Sequence, residues 1–481
     1  SKIQHAIIAL LASGSENLFM VGDEDQSIYG FRAAYPEALL TFEKNYPDAK
    51  VLLMEENFRS DARIVLAADR FIQKNTLRHE KHMKAARKPA SDIREISLRS
   101  RKAQYTYLAK LAEGCTSQTA ILYRDNECIL PLVDLLERNG IPYQMRNAEL
   151  SFFSHRTILD IINIIKLAQN PMDTEAFLQI YYKIGTYLRK QDAIRIARIS
   201  EEKRIPVLDV AAEDPDLNGH VLGSVRSMRT HLQNLLQDSG ERAIYRIMQF
   251  MGYQEYLNRS GLSDSKLEIL RILGSRADSP MELVERLEQL KVLIREKEPD
   301  RKCPLILSTI HASKGLEYDS VYLIDVADGI LPESIPQNLH QASAEELKAY
   351  EEERRLFYVG VTRAKDHLTL FTTNRPSTFC SEFLGKSSVT EEGRKNLMPV
   401  ESRTSRTFKQ ARPYAAVAGI RQTKASEELY FRLKEELGTG VIVEHKKYGE
   451  GVVTQLDDRL VHIMFQDDTL RMMDLKILAN A

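Results

Sequence analysis

Leu307-Ser-Thr-Ile-His-Ala-Ser-Lys-Gly-Leu-Glu317 and Glu351-Glu-Glu-Arg-Arg-Leu-Phe-Tyr-Val-Gly-Val-Thr-Arg-Ala-Lys365 are the two stretches of this 481-residue chain from which its architecture can be read. The first continues the apolar run Leu305–Thr309, a strand by its length, and turns at Lys314-Gly315. The second closes a strongly charged helix that begins at Ala344. Outward from these, short apolar runs alternate with helical spacing: Lys50–Met54 then Asp61–Gln73, Arg94–Leu98 then Lys102–Glu113, Thr119–Tyr123 then Glu127–Arg138. Nearer the start, Asn17–Val21 reads as strand and Pro36–Tyr46 as helix. Alternating βα units of this length predict a mostly parallel sheet wrapped by helices. From Thr157 to about Arg295 strand signals fade and helical periodicity takes over, as in Ile158–Ala168, Glu241–Met251 and Met281–Ile294. Strands return at Leu305–Thr309, Val321–Asp325 and His367–Thr372, so an all-helical insertion splits the α/β domain.

After Lys386 the composition shifts to Ser, Thr, Arg and Pro, with Arg403, Arg406, Lys409 and Arg412 on an unpatterned stretch that reads as a flexible basic linker. From Gly440 to Phe465 apolar and polar residues alternate around turns at Tyr448–Gly451 and Asp457–Asp458, the pattern of a small β-barrel. Length allows roughly three domains. Hydrophobic content is 43% and no apolar run approaches a bilayer-spanning length. The formal net charge is −1, so any nucleic-acid contact must come from local patches. Cys115, Cys128, Cys303 and Cys380 show no paired spacing, which argues against a zinc site or a disulfide framework and fits a reducing cytoplasm.

Four blocks in a fixed order resemble the motor motifs of the UvrD/PcrA/Rep group of superfamily 1 DNA helicases. They are Val21-Gly-Asp-Glu-Asp-Gln-Ser-Ile-Tyr-Gly-Phe-Arg32, Glu55-Glu-Asn-Phe-Arg-Ser60, and the two stretches quoted above. The resemblance implies an α/β fold: a RecA-like parallel-sheet P-loop helicase domain interrupted by an all-helical insertion, plus a small C-terminal Tudor/SH3-like β-barrel. The expected division is a remnant of the first RecA-like domain at 1–49, the second RecA-like domain at 50–170 and 296–385, the helical insertion at 171–295, a linker at 386–435 and the barrel at 436–481. The family also begins with a phosphate-binding loop (Walker A) and a magnesium-binding acidic motif (Walker B), and neither lies where it belongs in this sequence. The chain lacks an initiator methionine and reads as cut from something longer.

Phosphoryl transfer from ATP needs charge stabilisation on the departing phosphate, and the resemblance gives that role to Arg59 and Arg363, with Gln26 sensing the γ-phosphate. Phe58, where the family usually has tyrosine, is implied to stack on adenine, Gly315 to turn the backbone closely around the ligand and Glu317 to meet the ribose. Tyr29, Phe31 and Arg32 combine rings with a cation, the chemistry of sequence-blind single-strand binding, and His311 and Lys314 match the motif that contacts the tracked strand. The chain has no Trp, so Phe31 offers less stacking area than the family's usual tryptophan. The implied cofactors of the longer protein are ATP and Mg2+. The implied partners are single-stranded DNA, the single-strand/duplex junction and, through the barrel, RNA polymerase, with no membrane.

Rival readings attach to several of these residues. Asp23-Glu24-Asp25 at a strand end can also be a magnesium perch. The cations of Lys74–Lys88, among them Arg78, Lys81, Lys84 and Arg87, read either as a DNA contact or as a solvated face. Lys183-Ile-Gly-Thr-Tyr-Leu-Arg-Lys190 weakly matches a duplex-gripping element of the family. Cys380-Ser-Glu-Phe-Leu-Gly-Lys-Ser387 ends like a Walker A loop but has Cys380 where its first glycine is required, and a short helix is expected there instead. For the whole chain the choice lies between the ATPase-inactive carboxyl-terminal part of an ATP-dependent 3′-to-5′ helicase and a non-catalytic DNA- or polymerase-binding module. A helicase-nuclease of the AddA type is disfavoured, because no nuclease-like carboxylate cluster follows residue 386.

Overall fold

The computed structural model describes residues 2–14, 17–30, 37–146, 150–298, 300, 302–339, 341–375 and 377–386, and four strands between 442 and 474. The chain divides into two compact units, Ser1–Met398 and Pro399–Ala481.

The first unit opens with helix α1 (Lys2–Ala12), which buries none of its residues, and continues to α2 (Glu37–Leu40) and α3 (Phe42–Asn45). Asn17–Val21 and Lys50–Met54, predicted as strands, form none. An apolar run becomes a strand only when a neighbouring ladder satisfies its backbone. No described strand runs beside these two, and Phe19, Val21, Leu52 and Met54 stay exposed. Pairing begins at β1 (Glu56–Asn57), parallel to β2 (Lys84–Ala85), with α4 (Ala62–Ile72) between them.

The main sheet has six parallel strands. In chain order they are β3 (Arg94–Leu98), β4 (Thr119–Tyr123), β5 (Gln144–Met145), β6 (Leu305–Thr309), β7 (Tyr318–Leu323) and β8 (Ala364–Thr373). Their spatial order is β3-β8-β7-β4-β6-β5. Alternation along β4 shows how both faces are covered. Ile121 and Tyr123 join a core with α5 (Arg101–Ala112) and α6 (Leu130–Arg138), while Ala120 and Leu122 join one with α4. Period-2 side chains buried on both faces are the signature of a parallel sheet between helical layers.

The first of these cores runs on without a break into the helices between β5 and β6. They are α7 (Ser151–Ser154), α8 (Arg156–Gln169), α9 (Thr174–Ile180), α10 (Lys190–Lys203), α11 (Val207–Ala212), α12 (Gly219–Leu235), α13 (Gly240–Phe250), α14 (Tyr253–Ser260), α15 (Ser265–Gly274) and α16 (Pro280–Glu296). The helical run therefore starts at Ser151, with no described strand until Leu305. After β6 come α17 (Ile310–Ser313) and α18 (Ala344–Val361), the charged helix, which carries a Ser343/Glu346 capping box. The second core, with Phe71, Phe357, Phe379 and Phe383, packs α4, α18 and α19 (Thr378–Phe383) on the sheet face opposite the insertion, and Ile28 is buried in it. Within the Walker-like stretch Cys380–Phe383 is thus helical and Lys386 pairs with Glu95, while Ser387 lies outside the described residues.

In the second unit β9 (Ile442–His445), β10 (Gly449–Leu456), β11 (Leu460–Phe465) and β12 (Leu470–Asp474) form an antiparallel meander in sequence order. The expected basic linker, including Arg403, Arg406, Lys409 and Arg412, lies outside the described residues.

Candidate functional site

Two loops that enter and leave the second core bring the predicted arginines together. In the first, Asn57 Oδ1 accepts the backbone N–H groups of Arg59 and Ser60, both at 3.0 Å, an Asx turn ahead of α4. Ser60 Oγ donates to the Ala364 carbonyl at 2.6 Å, and the Asp61 N–H donates to the Lys365 carbonyl at 2.8 Å. Arg87 adds to this stitch: its Nη1 donates to the carbonyls of Arg59 at 2.6 Å and Lys365 at 3.2 Å, and its Nη2 pairs with Asp366. Asp61 caps α4 and takes the N–H groups of Ala90, Arg63 and Ser91. Burial raises that carboxyl, and these bonds outweigh it and hold its pKa below the ordinary value.

In the second loop, Arg363 is 1% exposed between α18 and β8. Its Nε donates to the Val359 carbonyl at 2.9 Å, its Nη1 to the Leu316 carbonyl at 3.2 Å and its Nη2 to Gln26 Oε1 at 3.4 Å. Burial, and then the like charge of Arg59, push the Arg363 guanidinium down to about 10. It stays charged at neutral pH, and an incoming anion would relieve both effects. Arg59 Nε pairs with Glu317 Oε2 at 2.8 Å, and Lys365 Nζ lies 3.3 Å from the other Glu317 oxygen. Hydrogen bonds from Arg59 and then Lys365 hold the Glu317 carboxyl below its ordinary value. Gly315 sits at φ +84°, the left-handed backbone that lets the chain turn from α17 to Glu317 without strain. Gln26 ends a 3-10 turn, Glu24–Gln26, capped by Asp23.

On the adjoining side, the Tyr29 hydroxyl donates to the His311 carbonyl at 3.0 Å, the Tyr29 and His311 rings lie 6.0 Å apart, and Lys314 Nζ is 5.3 Å from the Tyr29 ring centroid. Burial lowers the Lys314 pKa, with Asp23 opposing and Arg363 reinforcing the shift. The Gly30 N–H donates to Glu352 Oε1 at 2.7 Å. Phe31 and Arg32 lie outside the described residues. The structure thus brings together Gln26, Arg59, Arg363, Gly315 and Glu317 as one group and Tyr29, His311 and Lys314 as another. Phe58, next to Arg59 in the chain, is 71% exposed.

Of the cations between Lys74 and Lys88, Arg78 and Lys81 turn inward, while Lys74, Lys84 and Lys88 stay exposed. Lys74 pairs with Glu382, Lys84 with Glu55 and Arg87 with Asp366, while Arg78 and Lys81 pair with the acidic triplet. With Lys81 on all three carboxylates, Asp23-Glu24-Asp25 is an ion-pair cluster. Among the described residues, no group of three His, Cys, Asp or Glu side chains is arranged to hold a metal ion. In the helical run, Lys183 is buried on Asp160, whose other oxygen accepts the Tyr253 hydroxyl at 2.9 Å. Tyr187, Arg189 and Lys190 remain exposed. No described helix is long and apolar enough to cross a membrane.

Comparison with known proteins covers nearly all of the first unit. Residues 52–375 match the model of the UvrD-like helicase C-terminal domain, and residues 1–47 that of the UvrD/REP helicase N-terminal domain. The chain is 31% identical over 385 residues to a putative ATP-dependent DNA helicase, YjcD, of Bacillus subtilis, an alignment covering 76% of this chain and 49% of that protein. It is 27% identical over 494 aligned positions to the ATP-dependent DNA helicase PcrA of Staphylococcus epidermidis, and 25% over 492 to PcrA of Staphylococcus aureus. Each of those two alignments covers 95% of this chain and 65% of the relative, so the chain spans about half to two thirds of the length of the proteins it matches.

Proposed function

The chain belongs to the UvrD-like helicase family, and on that premise we propose that it is the carboxyl-terminal part of an ATP-dependent 3′-to-5′ DNA helicase. The reading rests on one observation. Arg59, Arg363 and Gln26 come from three separate segments and meet on one cationic face beside Glu317. Such a face fits a nucleotide polyphosphate, and ATP bound there supplies the phosphoryl group whose transfer drives the motor. Arg59 has a free-ended, half-exposed guanidinium that reaches a phosphate by leaving Glu317, and Glu317 is then open to a ribose hydroxyl. Arg363 is fixed by backbone carbonyls and needs no rearrangement, so it acts as preorganised charge. Gln26 touches Arg363 three residues before Tyr29, which links the phosphate side to the proposed strand-binding group of Tyr29, His311 and Lys314.

Magnesium and the main phosphate contacts are assigned to a phosphate loop and acidic motif that this sequence does not contain. The chain by itself is therefore expected to hydrolyse no ATP, whereas a polypeptide extended upstream through such a loop is expected to show turnover stimulated by single-stranded DNA. Turnover by the chain alone would sink the assignment of the phosphate site, and silence in both would favour a non-catalytic DNA- or polymerase-binding module. The β9–β12 meander is proposed as a Tudor-like barrel with RNA polymerase as its partner.

Strand binding by this chain can be measured without hydrolysis. Lys314→Ala is expected to weaken binding of a fluorescent single-stranded oligonucleotide and to reduce the slope of log affinity against log salt by about 0.7, the loss of one phosphate contact. An unchanged slope would place Lys314 off the DNA path.

A further inference from the structure

The loop after α4 and the acidic triplet ahead of Gln26 are 50 or more residues apart in sequence, and they meet as a charge cluster. Lys81 Nζ lies 2.8 Å from Asp23 Oδ1, 3.1 Å from Glu24 Oε1 and 3.2 Å from Asp25 Oδ2. Arg78 forks onto Asp25, with Nε 3.0 Å from Oδ1 and Nη2 2.9 Å from Oδ2. The His79 N–H donates to Glu24 Oε1 at 2.9 Å. The Arg78 and Asp25 side chains are 5% and 1% exposed, so this pair is screened little by water or salt. Burial alone lowers the Lys81 pKa, and the carboxylates of Asp23 and Asp25 overcome it, holding the ammonium above its ordinary value.

Asp23 is the crossing point of the cluster. Its Oδ1 takes the Asp25 N–H at 3.1 Å as well as Lys81, and its Oδ2 takes Gln26 Nε2 at 2.6 Å. A carboxylate can only accept hydrogen bonds, so it fixes which end of the Gln26 amide faces it. Nε2 must point to Asp23, and Oε1 is left toward Arg363 Nη2 at 3.4 Å. Without Lys81, three carboxylates in sequence would repel one another with Arg78 and, at longer range, Lys314 and Arg363 opposing them, and Asp23 would lose one of the contacts that hold its rotamer.

We propose that Lys81 is a positioning residue of the nucleotide sensor: it locks Asp23, which sets the Gln26 amide with its oxygen toward Arg363, while Arg78 anchors the far end of the triplet at Asp25. The inference deepens the helicase reading, since the sensor role of Gln26 rests on that reading, but the positioning can be measured separately.

The probe is the Gln26 side-chain NH2 signal of the 15N-glutamine-labelled chain, assigned by its loss in Gln26→Glu. Lys81→Met is expected to shift this signal and to speed its exchange with solvent about tenfold, the loss of one charge-assisted hydrogen bond's worth of restraint. Lys81→Arg is expected to restore both, because it keeps the charge. Lys84→Met, which removes only the ion pair to Glu55, is expected to leave the signal unmoved. An unmoved Gln26 signal in Lys81→Met, or an equal change in Lys84→Met, overturns the proposal. Should Lys81→Met fail to fold, Lys81→Gln decides the question: it keeps a polar side chain at the cluster but removes the charge that grips Asp23, so an acceleration is expected, and none would count against the proposal. If the upstream-extended polypeptide shows no DNA-stimulated ATP hydrolysis, the sensor role fails while the Gln26 measurement still decides the positioning.

Discussion

Arg59→Ala is expected to lower ATP turnover by ~10³–10⁵ in a polypeptide that carries this chain behind a phosphate-binding loop, because a cation aimed at the transferring phosphoryl group stabilises charge that appears only in the transition state. The geometry makes this substitution clean. Asn57 and Arg87 hold the Arg59 backbone, not its side chain, so the loop keeps its shape when the guanidinium is removed. Its side chain is 31% exposed and its one ion pair, to Glu317 at 2.8 Å, is of the surface kind that contributes ~0–1 kcal/mol. The folded protein should therefore survive and the loss should appear in kcat. Arg59→Lys keeps a charge but not the fork, and an intermediate loss is expected. The same substitution at Arg363 would be ambiguous, since its side chain also ties down the carbonyls of Val359 and Leu316. Steady-state hydrolysis with saturating single-stranded DNA is the measurement. A loss of less than about tenfold would mean that Arg59 is an ordinary surface residue.

Where the sequence was readable, local chemistry and tertiary context agreed. Thr119–Tyr123, Leu305–Thr309 and Arg94–Leu98 became strands within the limits read from their apolar runs, and the helix read over Asp61–Gln73 runs from Ala62 to Ile72 with Asp61 as its N-cap. Asn17–Val21 and Lys50–Met54 look no different as strings, but no described strand offers them a ladder, and β-structure is a property of the pair rather than of the run. The site divides in the same way. Gln26, Arg59, Arg363 and Glu317 could be picked out because they sit in recognisable motifs. Arg87 and Lys81 could not be, because their partners are backbone carbonyls, which no sequence displays, and carboxylates 58 positions away. Asn57 was closer to hand: an Asn two residues before the arginine is an Asx-turn signal that could have been read as the loop's support. A run of cations reads as a surface for DNA until the anions that face it are known, and for Arg78 and Lys81 those anions are buried carboxylates of the protein itself.

A second large effect is expected far from any nucleotide. Asp325 follows β7 with φ at +56°, and its carboxylate meets Arg101 at the start of α5: Nε to Oδ1 is 2.9 Å and Nη2 to Oδ2 is 2.6 Å, with the side chains 8% and 0% exposed. Gln104 closes the ring, donating to Oδ1 at 2.9 Å and accepting the Asp325 N–H at 3.1 Å. Arg101 also reaches Glu268 of α15 at 3.2 Å, so the cluster joins the sheet, its covering helix and the helical insertion. Asp325→Ala leaves a buried guanidinium with one partly exposed carboxylate, Glu268, and the Cys128 sulfur as partners, at a cost of about 3–5 kcal/mol, and places a Cβ without a polar group in left-handed backbone, which adds about 1–2 kcal/mol. Asp325→Asn tolerates that backbone and keeps the oxygen, so it should lose less. The double variant Arg101→Met, Asp325→Ala removes the stranded charge as well as its partner, and it should recover part of the loss because breaking a buried pair is worse than replacing it. Since the chain has no Trp, urea unfolding is best followed by far-UV circular dichroism, comparing midpoints at constant slope. A shift worth less than about 1 kcal/mol for Asp325→Ala, or a double variant less stable than both singles, would mean that water already satisfies Arg101 and that apolar packing alone fastens the insertion to the sheet.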